Sequence, residues 1–217
     1  MSNIDIVAID RERRADLTLR IFHDLGALLT GHFVLKSGLH SGTYLNKDTI
    51  YPHVQHIRAI GRMIADEVHN HGWPPIEIVA APEKGGIILS QWTAAALSLD
   101  PLLALPGTEP PLAVYAEKQP DGGFAFSRGY GKLLCGKRVL VVDDIATTGG
   151  SVFAAEKAVI QNEGIIVGVM VVVDRSGRSL VPSLAQVNIP TWSPIECPLC
   201  QTCVPINTDV GHGGGRK

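Results

Sequence analysis

The chain has 217 residues, 45% of them apolar and 18% charged, which is enough for one globular core with an appended flap or lobe. A formal net charge of -2 and a pI near 6.4 exclude a broad basic face for nucleic acid or an anionic membrane, so any anion site must be local. No segment offers the roughly 18 apolar residues of a spanning helix, the N-terminus lacks a secretory apolar run, and three of the four cysteines crowd into CPLCQTC; a cytoplasmic protein with reduced thiols is expected.

Along the chain, Leu17, Leu19, Ile21, Phe22 and Leu25 recur at helical spacing and predict a helix over 15–29, with Gly31 soon after. From Phe33 to Lys47, apolar residues alternate with Ser-Gly pairs, which reads as short strands joined by turns. Residues 54–69 return to helical spacing. From Ile76 onward, short and almost wholly apolar runs alternate with helical ones, the pattern of parallel strands covered on both faces. Strands are expected at Ile76–Ala81, Ala113–Glu117, Arg138–Asp143 and Ile165–Val173, and helices at about Gly86–Leu99 and Gly150–Glu163. The result is a single α/β domain over 1–217, with a doubly wound, mostly parallel sheet. Its core spans about 75–175, residues 1–74 build a small hood, and the tail 176–217 can add to that hood. Only the final GHGGGRK reads as disordered.

Ligands of such sheets bind beyond the carboxyl ends of the strands. The run VLVVDDIATTGGSV places Asp143 and Asp144 at a strand's end, then Thr147-Thr148-Gly149-Gly150-Ser151, then an alanine-rich helix. Small and hydroxylated residues at a helix N-terminus offer free N–H groups, hydroxyls and the positive end of the helix dipole, which together cradle a phosphate. The carboxylates suit a different partner, either the vicinal hydroxyls of a ribose or a magnesium ion held through its waters. Rival motifs fail. GKLLCGKR, over Gly131 to Arg138, lacks the Ser or Thr of a Walker A loop and precedes its strand, and no GxGxxG follows one. A phospho-acceptor receiver domain would have no use for Thr-Thr-Gly-Gly-Ser.

VVDDIATTGGS resembles, over its full length, the phosphoribosyl pyrophosphate (PRPP) signature of the type I phosphoribosyltransferases. The resemblance implies that Asp143 and Asp144 meet the ribose hydroxyls and that Thr147 to Ser151 hold the 5′-phosphate. Flanking segments are similar to the orotate branch of that family. His32-Phe33-Val34-Leu35-Lys36-Ser37-Gly38 with His40-Ser41-Gly42-Thr43-Tyr44 resembles its N-terminal signature, which puts Lys36 near PRPP and Tyr44 in the lining of the base pocket. Ala81-Pro82-Glu83-Lys84-Gly85-Gly86 looks like its pyrophosphate loop, and Arg175 of Asp174-Arg175 matches the arginine used on the orotate carboxylate. VYAEK at 114–118 and CPLC at 197–200 resemble one bacterial branch. The mobile loop departs from better-known relatives, being poor in basic residues; Lys118 is the candidate for neutralising pyrophosphate and Arg128 the second choice. The resemblance implies magnesium as cofactor, PRPP and orotate as substrates, a homodimer, and no nucleic-acid or membrane partner. A purine-type transferase and a non-catalytic PRPP or nucleotide sensor of the same fold are the alternatives.

Two further signals are set aside. Cys197, Cys200 and Cys203 have ligand-like spacing, with His212 as a conceivable fourth zinc ligand, but structural sites draw on two separated ligand pairs and a Gly-rich terminus anchors poorly. His69 and His71 beside Asn70 and Gly72 read as a solvated helix end.

Overall fold

The computed structural model describes residues 11–35, 37–99 and 109–210. In chain order the elements are α1 (Arg11–Asp24), β1 (Leu28–Val34), β2 (His40–Leu45), a 3-10 turn (Lys47–Thr49), α2 (Val54–Asn70), β3 (Ile78–Pro82), α3 (Gly85–Ser98) and β4 (Leu112–Lys118). They continue with β5 (Phe124–Ala125), α4 (Tyr130–Leu134), β6 (Arg138–Ala146), α5 (Gly150–Gln161), β7 (Ile165–Asp174), β8 (Ser183–Gln186), β9 (Thr191–Trp192) and α6 (Pro198–Gln201).

Six strands form one sheet in the order β5-β4-β3-β6-β7-β8, parallel except for β5, which runs antiparallel to β4. The chain enters at β3, builds outward to β4, then crosses back so that β6 lies on the other flank of β3. Strand order reverses there, and the connections leaving β3 and β6 diverge to open a crevice beyond their carboxyl ends. Side chains along each strand alternate between two cores. Ile78, Ala80, Val139, Val141 and Val171 pack with Ala155, Ala158 and Val159 of α5, whereas Val79, Ala81, Leu140, Val142, Met170 and Val172 pack with α2 and α3 through Ile60, Ile64 and Leu89. Burial on both faces is why these strands read as unbroken apolar runs.

The sequence expectations shift in two places that matter. β6 runs on to Ala146, with Asp143 opposite Val171 and Ile145 opposite Val173, so the acidic pair sits inside the last paired residues of the strand and not beyond them. Helix 15–29 becomes α1, which starts at Arg11 and stops at Asp24, because Gly26 turns the chain with φ +64 and Leu28 already belongs to β1. Its buried face is Arg14, Thr18, Ile21 and Phe22, while Leu17 is exposed. A charged residue sits on that face because Arg14 forms a buried ion pair with Glu67 of α2, a contact between charges without hydrogen-bond geometry at Glu67 Oε1.

Beside the main sheet stands the hood, a smaller antiparallel sheet in the order β1-β2-β9, so the tail supplies its third strand; α1 and α2, expected in the hood as part of 1–74, pack instead in the core of the main sheet. The expectation for GHGGGRK falls outside the described residues.

Because one half of a buried ion pair is costly to leave alone, Glu67→Leu should destabilise the fold by about 3–5 kcal/mol, and adding Arg14→Leu should recover part of that loss. Urea unfolding of the two single variants and the double variant checks this. Purely additive losses would mean that the two charges do not depend on each other.

Candidate active site

The site grows from the end of β6. Thr147 to Ser151 leave the strand, and Gly150 opens α5, whose 12 residues aim their N-terminus at the crevice. Thr147, Thr148, Gly150 and Ser151 are exposed, and Gly149 is buried with its carbonyl accepting the Phe153 N–H at 2.9 Å. A cavity of about 320 Å³ is lined by these five residues, by Asp143, and from across the crevice by Lys118, Gly122 and Phe124. The residue set is the one the sequence predicts as a phosphate cradle, now with a lysine facing it.

Lys118 ends β4 and pairs with Phe124 of β5. The turn between them is a tight hairpin: Gln119 N–H donates to the Gly123 carbonyl at 2.8 Å, and Gly123 N–H donates to Asp121 Oδ1 at 2.9 Å. Arg128 stands apart, lining neither this cavity nor the next; its Nη2 and Nε donate to Glu117 Oε1 at 2.8 and 3.0 Å. A hydrogen bond from Ser127 and then that from Arg128 hold the Glu117 carboxyl below its ordinary range, and Glu117 in turn holds the guanidinium above its own.

The two aspartates are 7% and 6% exposed and do different things. Adjacent residues of a strand point to opposite sides. Asp143 borders the phosphate cavity, and its Oδ1 accepts the Asp144 N–H at 2.8 Å. Asp144 turns toward the hood, where Oδ2 accepts hydrogen bonds from Lys47 Nζ at 2.6 Å and from the Tyr51 hydroxyl, and Oδ1 accepts the Ile145 N–H at 2.7 Å. Burial, and then the charge of Asp144, push the Asp143 carboxyl up to about 7. Burial also drives the Tyr51 phenol far above its usual range, with Asp144 adding to the effect. For Lys47, burial disfavours the ammonium, but the attraction of Asp144 and Asp143 outweighs it and its pKa rises.

Lys47 and Tyr51 escaped the sequence reading, since they lie in a segment that looks like an ordinary turn. Gly85, expected in a pyrophosphate loop, is packed against this clamp: a Cβ there would overlap both the Tyr51 hydroxyl and the Asp144 carboxylate. Lys84 stands exposed at the start of α3 and lines neither cavity.

Under the hood a second cavity of about 640 Å³ is lined by Tyr44, Asn46, Lys47, Asp48, Asp144 and Arg175 among others, and it shares Ile145, Thr147 and Thr148 with the phosphate cavity. The two form one cleft. Arg175 follows the last residue of β7, and its Nε is buried without a hydrogen-bond partner among the described residues. Its neighbour Asp174 does not serve it, because Asp174 accepts the Ser176 N–H at 2.7 Å and the Leu180 N–H at 2.9 Å. Burial lowers the pKa of the guanidinium, with Tyr44 opposing. Lys36 lies outside the described residues.

A doubly wound sheet with a phosphate cradle after an acidic pair defines a class of nucleotide-handling transferases, and comparison with known proteins specifies it. Residues 46–193 match the model of the phosphoribosyl transferase domain. The orotate phosphoribosyltransferase of Thermus thermophilus is 34% identical over 193 residues, covering 87% of this chain and 97% of that protein. That of Chlorobium phaeobacteroides is 32% identical over 194 residues, covering 87% and 92%. Among solved structures, the Mycobacterium tuberculosis H37Rv orotate phosphoribosyltransferase in complex with Fe(III) dicitrate has a TM-score of 0.59 at 24% identity, covering 80% of this chain and 96% of that one. The chain therefore belongs to the phosphoribosyltransferase family, and within it to the orotate phosphoribosyltransferases.

The raised Asp143 pKa has a consequence for stability. In the unfolded chain an aspartate titrates near 3.9, so between about pH 4 and about 7 the folded chain binds the extra proton, and this group's contribution to stability falls as pH rises across that window. Asp143→Asn should remove this fall and be the more stable protein above pH 7, by about 1–3 kcal/mol. Urea midpoints for both proteins at pH 5 and pH 8 check it; a variant less stable at pH 8 would contradict it.

Proposed function

We propose that the chain transfers the phosphoribosyl group of PRPP to orotate, yielding orotidine 5′-phosphate and pyrophosphate, as a step of pyrimidine nucleotide synthesis. The observation that carries this reading is Arg175, a half-buried guanidinium without a protein partner among the described residues, facing the same cleft as the phosphate cradle. Its planar fork matches a carboxylate bidentately, and a carboxylate is what separates orotate from uracil.

In this reading the N–H groups at the start of α5 and the hydroxyls of Thr147, Thr148 and Ser151 donate to the 5′-phosphate. Asp143, with one oxygen uncommitted, accepts from a ribose hydroxyl, and Asp144, whose Oδ2 already serves Lys47 and Tyr51, can add a hydroxyl only at Oδ1 beside the Ile145 N–H. Orotate lies between Tyr44 and Arg175, and Lys84 and Gly85 flank the pyrophosphate. Lys118 donates to the leaving pyrophosphate, and the β4–β5 hairpin shields the reacting C1 from water. Orotate is already anionic, so positioning and charge suffice and no strong general base is required. The donor set fits a hydrated magnesium ion, because Asp143 is a hard oxygen donor at the cavity wall with no cation paired to it among the described residues. Bound with PRPP, magnesium supplies positive charge against the pyrophosphate oxygens. The reading also makes the enzyme a cytoplasmic homodimer, which light scattering at twice the 23.2 kDa chain mass checks.

Two variants test the assignment. Arg175→Leu should weaken orotate binding about 10- to 100-fold, the worth of a charge-assisted hydrogen bond or two, and leave PRPP affinity nearly unchanged. If both affinities fall together, the arginine serves the fold and the base is read elsewhere. Lys118→Ala should lower kcat more than it raises KM, since charge builds on pyrophosphate mainly in the transition state. An effect confined to KM would assign Lys118 to ground-state binding. Steady-state kinetics with each substrate varied separates these outcomes.

A further inference from the structure

Away from the cleft, four side chains with metal-binding atoms converge. His32 lies in β1, His40 opens β2, and Cys197 and Cys200 bracket the first turn of α6. All four ligand atoms fall within 4.8 Å of one another, with His32, His40 and Cys197 buried and Cys200 half-buried. His32 Nε2 is 2.8 Å from His40 Nδ1, 3.6 Å from Cys197 Sγ and 3.7 Å from Cys200 Sγ, and Cys200 Sγ is 3.3 Å from His40 Nδ1. Tetrahedral zinc, with Zn–N of about 2.0 Å and Zn–S of about 2.3 Å, sets N···N near roughly 3.3 Å and N···S near roughly 3.5 Å. The nitrogen–sulfur edges bracket that value. Only the nitrogen pair is closer, and a small ring rotation opens it.

Hydrogen bonding alone serves this cluster poorly. His32 Nδ1 lies 2.7 Å from the Val204 carbonyl, which can only accept, so Nδ1 carries the proton and Nε2 turns a lone pair inward. One lone pair then faces three would-be donors: His40 Nδ1 and two thiols. A single cation engages all four groups at once, and the Val204 carbonyl orients a ligating histidine in the way second-shell acceptors do. Two thiolates and a doubly charged ion also sum to zero, which removes the penalty of burying net charge. The spacing objection raised from the sequence no longer holds, because the second ligand pair is a histidine pair in the hood; Cys200 and His40 are 160 residues apart along the chain. Neither Cys203 nor His212 is needed.

We propose that His32, His40, Cys197 and Cys200 bind one zinc ion in a closed, structural site that fastens the tail to the hood. The other ties there among the described residues are few: two residue pairs between β2 and β9, the Asn207 N–H donating to the His32 carbonyl at 2.7 Å, the Ser41 hydroxyl donating to the Pro190 carbonyl at 2.9 Å, and the contact of His32 Nδ1 with the Val204 carbonyl. His32 and His40 also lie in the two paired strands β1 and β2, so the ion ties those strands to each other as well as to the tail. None of the four ligands lines the cleft, and with four protein ligands no position is left for substrate. The inference does not depend on which base the enzyme uses.

The test uses the full-length protein, purified under reducing conditions without chelator or polyhistidine tag. Elemental analysis should give about one zinc per chain. Exchange with cobalt should produce the visible bands of tetrahedral cobalt together with a thiolate charge-transfer band. Cys200→Ser and His40→Ala should lose the metal, whereas Cys203→Ser should keep it, and stripping zinc should lower the thermal midpoint. Protein that holds no zinc and takes up no cobalt overturns the proposal, as does full zinc content in Cys200→Ser or a Cys197–Cys200 disulfide in the reduced preparation. If the ligand variants do not fold, the zinc content and cobalt spectrum of the unaltered protein and of Cys203→Ser still decide.

Discussion

The clamp on Asp144 is the constraint on which the rest of the cleft depends. A carboxylate buried at the end of β6 is stable as an anion only if opposite charge and donors are brought to it, and Lys47 Nζ, the Tyr51 hydroxyl and the Ile145 N–H do so. Lys47 and Tyr51 come from the segment joining the hood to α2. Satisfying one buried charge therefore fixes the hood against the sheet, and it requires that α3 begin with Gly85 because no side chain fits between them. Asp143 points the other way, accepts only the Asp144 N–H, and feels Lys47 through its charge alone. Its high pKa records burial first and then the neighbouring charge of Asp144, which together outweigh the attraction of Lys47.

That division assigns each half of the cleft a different electrostatic character. On the phosphate side, the start of α5 and Lys118 favour anions and Asp143 favours hydroxyls or a hydrated cation. On the hood side, Arg175 and Tyr44 face a larger space with room for a planar ring. Ile145, Thr147 and Thr148 belong to both walls, so a molecule spanning them has its sugar over the acidic pair. Such an order of groups along one cleft suits a reaction in which bonds to C1 of a ribose are broken and made with little covalent help from protein.

What could be read from the sequence was local. Strand end, turn and helix start follow one another in Asp143 to Ser151, so their chemistry survives without knowledge of the fold. The parallel strands were visible because burial on both faces leaves a composition signal. Contacts made by topology left none: Lys47 and Tyr51 lie 97 and 93 residues from Asp144, and the histidines lie 160 to 168 residues from the cysteines they meet. Strands of two to four residues, such as β5, β8 and β9, are too short to show a period. In α1 the period misled, since Arg14 takes a core position that only its pairing with Glu67 makes tolerable.

Arg175 shows how neighbouring residues decide function. An Asp-Arg pair at a strand end invites a local salt bridge, which would neutralise both groups and leave nothing for a ligand. Here the turn after β7 curls back so that the N–H groups of Ser176 and Leu180 take both oxygens of Asp174. The aspartate is spent on backbone donors, and the arginine is left half-buried with no partner for its Nε among the described residues, which costs stability. That cost is recovered only by a partner with the right charge and shape. On the proposed assignment of Arg175, a ring lacking the carboxylate would be rejected because it leaves the buried donor unpaired, a stronger discrimination than a close fit to an apolar surface could provide.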